Sequence, residues 1–197
     1  QKTAYEIMPS LVGSEMCIRD RLMPIDTSLK FVPINIAVLT ISDTRTPDTD
    51  TSGALLEERI NSVGHNCIEK IIIPDDVKLI KEKLQILSNK EEIDCIITTG
   101  GTGLTGRDTT PEAVIEIANK TIDGFGELFR QISFSKIGTS AIQSRALAAL
   151  INTTYVFCLP GSKGACKDGW DEILQYQLDI RHRPCNFVEI MPRLSEK

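Results

Sequence analysis

Residues Ile93 to Pro111, IDCIITTGGTGLTGRDTTP, leave a chain few ways to fold. A β-branched apolar run (Ile93, Ile96, Ile97, Thr98) leads straight into Gly100-Gly101-Thr102-Gly103, and Asp108 and Thr110-Pro111 follow. The run reads as a buried strand, and a proline in a first turn reads as the start of a helix. A buried strand that ends in glycines and hands over to a helix surrounds a concave space with bare backbone N–H groups. Such a space suits an oxyanion, for example a phosphate.

The same alternation recurs along the chain. Ile34 to Ile41 is nearly continuous in Ile, Val, Leu and Ala, the pattern of a strand covered on both faces. It stops at Ser42-Asp43, and a helix follows from about Thr51, with Leu56, Ile60 and Val63 at helical spacing and Gly64 at its end. Cys67 to Ile73 reads as a second strand stopped by Pro74-Asp75-Asp76, and Ile80, Leu84 and Leu87 line a second helix. Thr110 opens a third helix with core face Val114, Ile117 and Ala118, and Thr109 with Glu112 forms a capping-box pattern. Phe125, Leu128, Phe129 and Ile132 mark a fourth helix, and Ser140 to Leu150 is expected to form a short fifth one. Tyr155 to Leu159 is another buried strand, ended by Pro160-Gly161-Ser162. From Lys163 the chain reads helical with Cys166, Trp170, Ile173 and Leu174 inward. The tail from Arg181, polar and interrupted by proline, is expected to wrap the surface.

Strands alternating with helices, without a repeat or a dividing linker, predict right-handed βαβ units in one α/β domain over residues 23–197. In such folds ligands collect at the carboxyl ends of the strands. Three strand exits carry small polar residues or glycine: Ser42-Asp43, Gly100 to Gly103, and Pro160-Gly161-Ser162. Their coincidence predicts one shared site.

Composition narrows the function classes. With 41% apolar and 25% charged residues the chain is globular, and a net charge of −5 argues against a nucleic-acid coat or a membrane-surface protein. The six cysteines are scattered without a C-x-x-C, and there are two histidines, so neither a disulfide scaffold nor a zinc site is indicated. Free thiols in a reducing cytoplasm are the expectation. Residues 1–22 show no helical period and no signal-peptide pattern. We expect them to be non-native or disordered, with Met23-Pro24 as a natural start.

Gly101 to Gly106 is formally G-x-G-x-x-G, but Arg107-Asp108-Thr109-Thr110-Pro111 delays the helix that a dinucleotide site would open at its third glycine. No Gly-Lys-Ser/Thr follows, which excludes a Walker loop. A plain turn role for the glycines stays open, although three in four positions at a buried strand end carry an entropic cost that close backbone approach to a ligand would explain. Asp108 reads either as a helix-entry residue or as a ligand of Mg²⁺, and Asp50 either as the N-cap of the helix at Thr51 or as a second such carboxylate. Arg107, Arg130, Arg145 and Lys163 are candidate positive partners, and Ser162 a candidate second anion-binding turn.

Four blocks in order resemble the MoaB/MogA family of molybdenum cofactor biosynthesis proteins, with the closer match on the MoaB side. They are Thr98 to Gly103 with Asp108 and Thr110 to Ala113; Gly124-Phe125-Gly126-Glu127 with Phe129-Arg130; Ser144-Arg145-Ala146; and Pro160-Gly161-Ser162 with Ala165. Arg183 to Phe187 resembles the MoaB-type ending. The resemblance implies a three-layer α/β/α sandwich with a mostly parallel central sheet, assembled as a homotrimer or homohexamer in the cytoplasm. It implies Mg²⁺- and ATP-dependent adenylylation of molybdopterin ahead of molybdate insertion, alongside other molybdenum cofactor enzymes. By position, Asp50 and Asp108 correspond to the acidic pair tied to catalysis and Mg²⁺. Ser42, Asp43, Gly100, Gly101, Thr102, Gly103, Glu127, Pro160, Gly161 and Ser162 correspond to the ligand pocket. Lys163 departs from the proline often found after Pro-Gly-Ser in the family. The rival expectation is a non-catalytic molybdopterin- or nucleotide-binding carrier of the same pathway.

Overall fold

The computed structural model describes residues 25–196; residues 1–24 and 197, with the expectations placed on residues 1–22, lie outside the described residues. Strands β1 (Asn35–Ile41), β2 (Asn66–Ile73), β3 (Cys95–Thr99), β4 (Lys120–Thr121), β5 (Leu147–Ile151) and β6 (Thr154–Leu159) form one sheet in the order β2-β1-β3-β6-β5-β4. The pairs β2-β1, β1-β3 and β3-β6 are parallel, whereas β6-β5 and β5-β4 are antiparallel. Helices α1 (Thr51–Ser62), α2 (Val77–Ser88), α3 (Thr110–Ile117), α4 (Asp123–Ile137), α5 (Lys163–Gly169) and α6 (Phe187–Ile190) cover it, and α5 runs on through a π turn at Trp170–Leu174.

The period-two alternation of strand side chains divides the core between the sheet faces. Ile36 and Val38 of β1, Ile97 of β3 and Phe157 of β6 pack with Leu56 and Ile60 of α1, Phe125 and Phe129 of α4, and Cys166 and Trp170. The alternate residues Ala37, Leu39, Ile96, Val156 and Cys158 pack with Ile80 and Leu84 of α2 and Val114 of α3. The result is the expected three-layer α/β/α sandwich. Cys67, Cys95, Cys158, Cys166 and Cys185 are free thiols.

Three local expectations are corrected. Ser140 to Leu150 is not a helix: Gly138–Gln143 is a 3₁₀ turn and Leu147–Ile151 is the antiparallel strand β5. Ala and Leu favour helix locally, but a two-residue turn at Asn152-Thr153, with Asn152 in the left-handed region (φ 55°), folds this run back onto β6. The capping box at α3 does not form, because the Thr109 hydroxyl donates to Asp75 at 2.9 Å and Glu112 is paired with Arg145. In α4, Leu128 faces solvent and not the core. The tail does lie against the body, with the Phe187 ring 4.9 Å from that of Tyr155 and Val188 buried.

His65 gives the fold an acid-sensitive contact. It is 3% exposed, its Nδ1 accepts the Ile34 N–H at 3.2 Å, and its ring lies 4.8 Å from that of Phe31. Burial pushes its pKa down from 6.5 to about 4, with the Asp179 charge opposing. The unfolded chain therefore takes up this proton first. The contribution is complete above about pH 6.5 and declines by about 3 kcal/mol as pH falls towards 4. Urea unfolding between pH 6.5 and 4.5 should show His65→Asn losing that part of the acid sensitivity. An unchanged pH slope in the variant would refute it.

Candidate functional site

Parallel pairing of β2, β1, β3 and β6 brings four carboxyl ends to one edge of the sheet, each followed by small or acidic residues: Pro74-Asp75, Ser42-Asp43, Gly100 to Gly103, and Pro160 to Ser162. The Gly100 N–H donates to Leu159 O at 3.1 Å, and the Thr99 hydroxyl donates to Pro160 O at 3.2 Å, which ties the second glycine turn to the first. A side chain on Gly161 would meet the Gly100 Cα at 3.2 Å. Thr110, first residue of α3, closes the loop from the other side. Its N–H donates to Gly101 O at 2.9 Å and its hydroxyl to Gly100 O at 3.1 Å. The N–H groups of Gly101 and Thr102 have no acceptor among the described residues.

Three carboxylates surround this loop. Asp108 Oδ2 accepts the Thr105 hydroxyl at 2.6 Å and the Thr105 N–H at 3.1 Å. The hydroxyl bond, more than anything else, holds its pKa below the ordinary carboxylate value, with Arg145 adding to the effect and burial opposing it. Asp75 accepts both the N–H and the hydroxyl of Thr109, and a side chain on Gly101 would come within 2.7 Å of its Oδ2. Burial pushes the Asp75 pKa up against those two bonds, and the charges of Asp108 and Asp43 push it the same way. Asp43 pairs with Arg107 at 2.6 Å and accepts the Asp75 N–H at 3.3 Å.

Arg145 is the tie between loop and sheet. Its Nε donates to Thr102 O at 3.2 Å, its Nη2 to Asp108 O at 2.8 Å, and its Nη1 meets Glu112. The same Arg145 borders a cavity of about 430 Å³ that also has Glu127 and Arg130 in its wall. On the far side of the acidic cluster, Ser42, Asp43, Arg45, Asp50 and Lys70 line a cavity of about 610 Å³.

The predicted residues thus divide. Ser42, Asp43, Gly100 to Gly103, Asp108 and Pro160 to Ser162 meet at one edge, while Glu127 stands beyond Arg145 on the wall of the first cavity. Ser162 caps α5 by accepting the Ala165 N–H at 3.2 Å, and Lys163 is exposed. Asp50 is 4% exposed and has both oxygens engaged: Oδ1 caps α1 through the Gly53 N–H at 2.9 Å, and Oδ2 accepts the Thr40 hydroxyl at 2.7 Å. Asp75 is the residue that sequence reading passed over, as a mere strand stop. Its signal was present, since Pro74-Asp75 follows an apolar strand as Ser42-Asp43 does.

Magnesium keeps several waters and binds through one or two carboxylates plus substrate phosphates, so it needs no cage of three protein ligands. No group of three or more His, Cys, Asp or Glu able to hold a metal occurs among the described residues. Asp108 beside the raised Asp75 fits the smaller requirement, because a dication would relieve the crowding of negative charge there.

A parallel-edge α/β protein with a glycine loop, unengaged N–H groups and flanking carboxylates defines a class that binds phosphorylated ligands. Residues 37–180 match the family described as "Probable molybdopterin binding domain". The chain is 41% identical over 160 residues to molybdenum cofactor biosynthesis protein B of Escherichia coli K12, covering 81% of this chain and 94% of that one. A crystal structure of a molybdenum cofactor biosynthesis protein B superposes with TM-score 0.77 at 38% identity, over 86% of this chain and all (100%) of that one. The tungsten cofactor synthesizing protein MoaB from Pyrococcus furiosus superposes with TM-score 0.65 at 32% identity, over 73% and 91% of the two chains. The chain belongs to the MoaB/MogA family of molybdenum cofactor biosynthesis proteins. Among the described residues no helix is long and apolar enough to cross a membrane.

Proposed function

We propose that this protein binds molybdopterin at the carboxyl edge of its sheet and transfers AMP to it from ATP. The observation that carries the reading is the placement of Asp108 and Asp75 on either side of a glycine loop with unengaged N–H groups. In the reaction a terminal phosphate oxygen of molybdopterin attacks the α-phosphorus of ATP. The bond from that phosphorus to the bridging oxygen breaks, and pyrophosphate leaves. Nucleophile and leaving group are both anionic, so the protein's task is positioning and charge compensation more than proton transfer. Gly101 and Thr102 N–H groups cradle phosphate, and Arg145 fixes the loop that carries them. Asp108 and Asp75 would hold Mg²⁺, which supplies charge neutralisation between the phosphates when bound. Asp50, with both oxygens occupied, shapes the base of the site by fixing α1 against β1. Exposed Phe134, Ile137 and Ile142 (60%, 58% and 85%) on α4 and the following turn support self-association into a trimer or hexamer.

Incubating the purified protein with molybdopterin, ATP and Mg²⁺ should yield adenylyl-molybdopterin and pyrophosphate, followed by chromatography with ³²P-labelled α-phosphate. Tight molybdopterin binding without AMP transfer would replace the enzyme by the carrier reading.

A further inference from the structure

We propose that Ser52 is a positioning residue for the glycine loop: from the first turn of α1 it fixes the Pro160-Gly161 turn against which Gly100 packs. This role rests on the proposed phosphate-cradling function of the loop.

Local sequence places the hydroxyl. Asp50 caps α1 through the Gly53 N–H and accepts the Thr40 hydroxyl, which sets the first helical turn against the end of β1. Gly53 has to lack a side chain here, because a Cβ would run into the Asp50 carboxylate and lie 2.8 Å from the Thr40 hydroxyl. Between the two, Ser52 is 3% exposed and donates its hydroxyl to Gly161 O, 2.9 Å away and 109 positions along the chain. Serine hydroxyls in helices commonly serve their own backbone. This one reaches another element.

The turn it reaches is held from two sides. Pro160 O accepts the Thr99 hydroxyl at the end of β3, and Gly161 O accepts the Ser52 hydroxyl at the start of α1. Cys166 fills the space beneath, with Sγ 3.0 Å from the Thr99 hydroxyl. Two consecutive carbonyls are thereby turned into the protein and given donors there, as groups withdrawn from water require. Removing the Ser52 hydroxyl takes a donor from Gly161 O, and the peptide gains by rotating that oxygen out to water. The rotation lifts Gly161 from Gly100, whose Cα would be 3.2 Å from any Cβ added to Gly161. Gly100 starts the loop whose next two N–H groups, of Gly101 and Thr102, have no acceptor among the described residues. Their direction is thus set in part by a buried hydroxyl on another element.

The test follows the backbone amides of the ¹⁵N-labelled full chain by NMR while inorganic pyrophosphate is added. In the wild type the Gly101 and Thr102 amides should shift saturably. Ser52→Ala should weaken pyrophosphate binding about fivefold and speed hydrogen exchange of the Gly100 amide, which donates to Leu159 O, severalfold. Thr99→Val should act in the same direction, and Thr99→Ser, which keeps the hydroxyl, should stay within about twofold of wild type. Ser62→Ala removes a hydroxyl from the far end of the same helix, where it serves Arg59 O, and should change neither quantity. Affinity is read on folded protein, so a loss of global stability alone leaves it unmoved. Wild-type affinity and exchange in Ser52→Ala would overturn the role, as would a fall in urea stability without a fall in affinity, or pyrophosphate that shifts neither Gly101 nor Thr102. The AMP-transfer assay separates this role from the reaction. Transfer with an unchanged kcat/KM for ATP in Ser52→Ala keeps the reaction and removes the role. Ser52-dependent pyrophosphate binding in a protein that makes no adenylyl product keeps the role and removes the reaction.

Discussion

Asp108→Asn should lower AMP transfer about 100-fold and leave molybdopterin affinity within about threefold of wild type, the size expected when one preorganised electrostatic element is removed from a phosphoryl-transfer site. The amide keeps an acceptor oxygen for the Thr105 N–H and hydroxyl, so the loop between residues 102 and 108 retains its ties and the change is confined to charge. Thr105→Val makes the complementary change. It removes the hydroxyl that does most to hold the Asp108 pKa down, keeps the carboxylate, and should alter the rate less than about tenfold. Asp75→Asn should resemble Asp108→Asn, because the two carboxylates feel each other's charge across the glycine loop. Steady-state kinetics with varied molybdopterin and Mg²⁺ would settle this. A wild-type rate in Asp108→Asn removes the residue from the mechanism.

The contrast between Asp108 and Asp50 shows what can be read from a sequence of this kind. Long apolar runs such as Ile34 to Ile41 announce parallel strands because both of their faces are covered, and the order of elements then fixes which strand ends share an edge. The glycine loop was legible for the same reason. What a carboxylate does near that edge was not legible, since an N-cap and a ligand carry the same letter. Asp50 serves as the N-cap of α1 and also accepts from Thr40 ten positions back on β1, and its part in catalysis stays an expectation of the resemblance. Asp75 comes to the loop by a contact with Thr109, 34 residues away, that no local pattern encodes. Leu147 to Ile151 misleads in the opposite sense. Its helix-forming residues are overruled by pairing with β6, a tertiary effect that propensity does not contain.

Gly100→Ala should be the most damaging glycine-to-alanine change among the described residues. Gly100 sits at φ 103°, where side chains are strained, and the added Cβ would lie 2.1 Å from the carbonyl oxygen of Ile41. That oxygen belongs to the last residue of β1, which is paired with Ile73 of β2 and follows Thr40, paired with Thr99 of β3, so it cannot retreat without loosening the sheet. Strain and overlap together should cost at least about 3 kcal/mol, equivalent to a Tm about 10 °C lower for a chain of this size, and AMP transfer should be lost with the loop geometry. Gly106→Ala in the same loop meets nothing within 4 Å and should stay within about 0.5 kcal/mol of wild type. Gly101→Ala falls between the two. Its Cβ would strike the Thr110 hydroxyl and the Asp75 carboxylate, side chains that can turn aside, so activity should fall further than stability. If calorimetry found Gly100→Ala within 2 °C of wild type, about 0.5–1 kcal/mol for a chain of this size, the close packing of β1 against the glycine loop would not be what holds that loop in place.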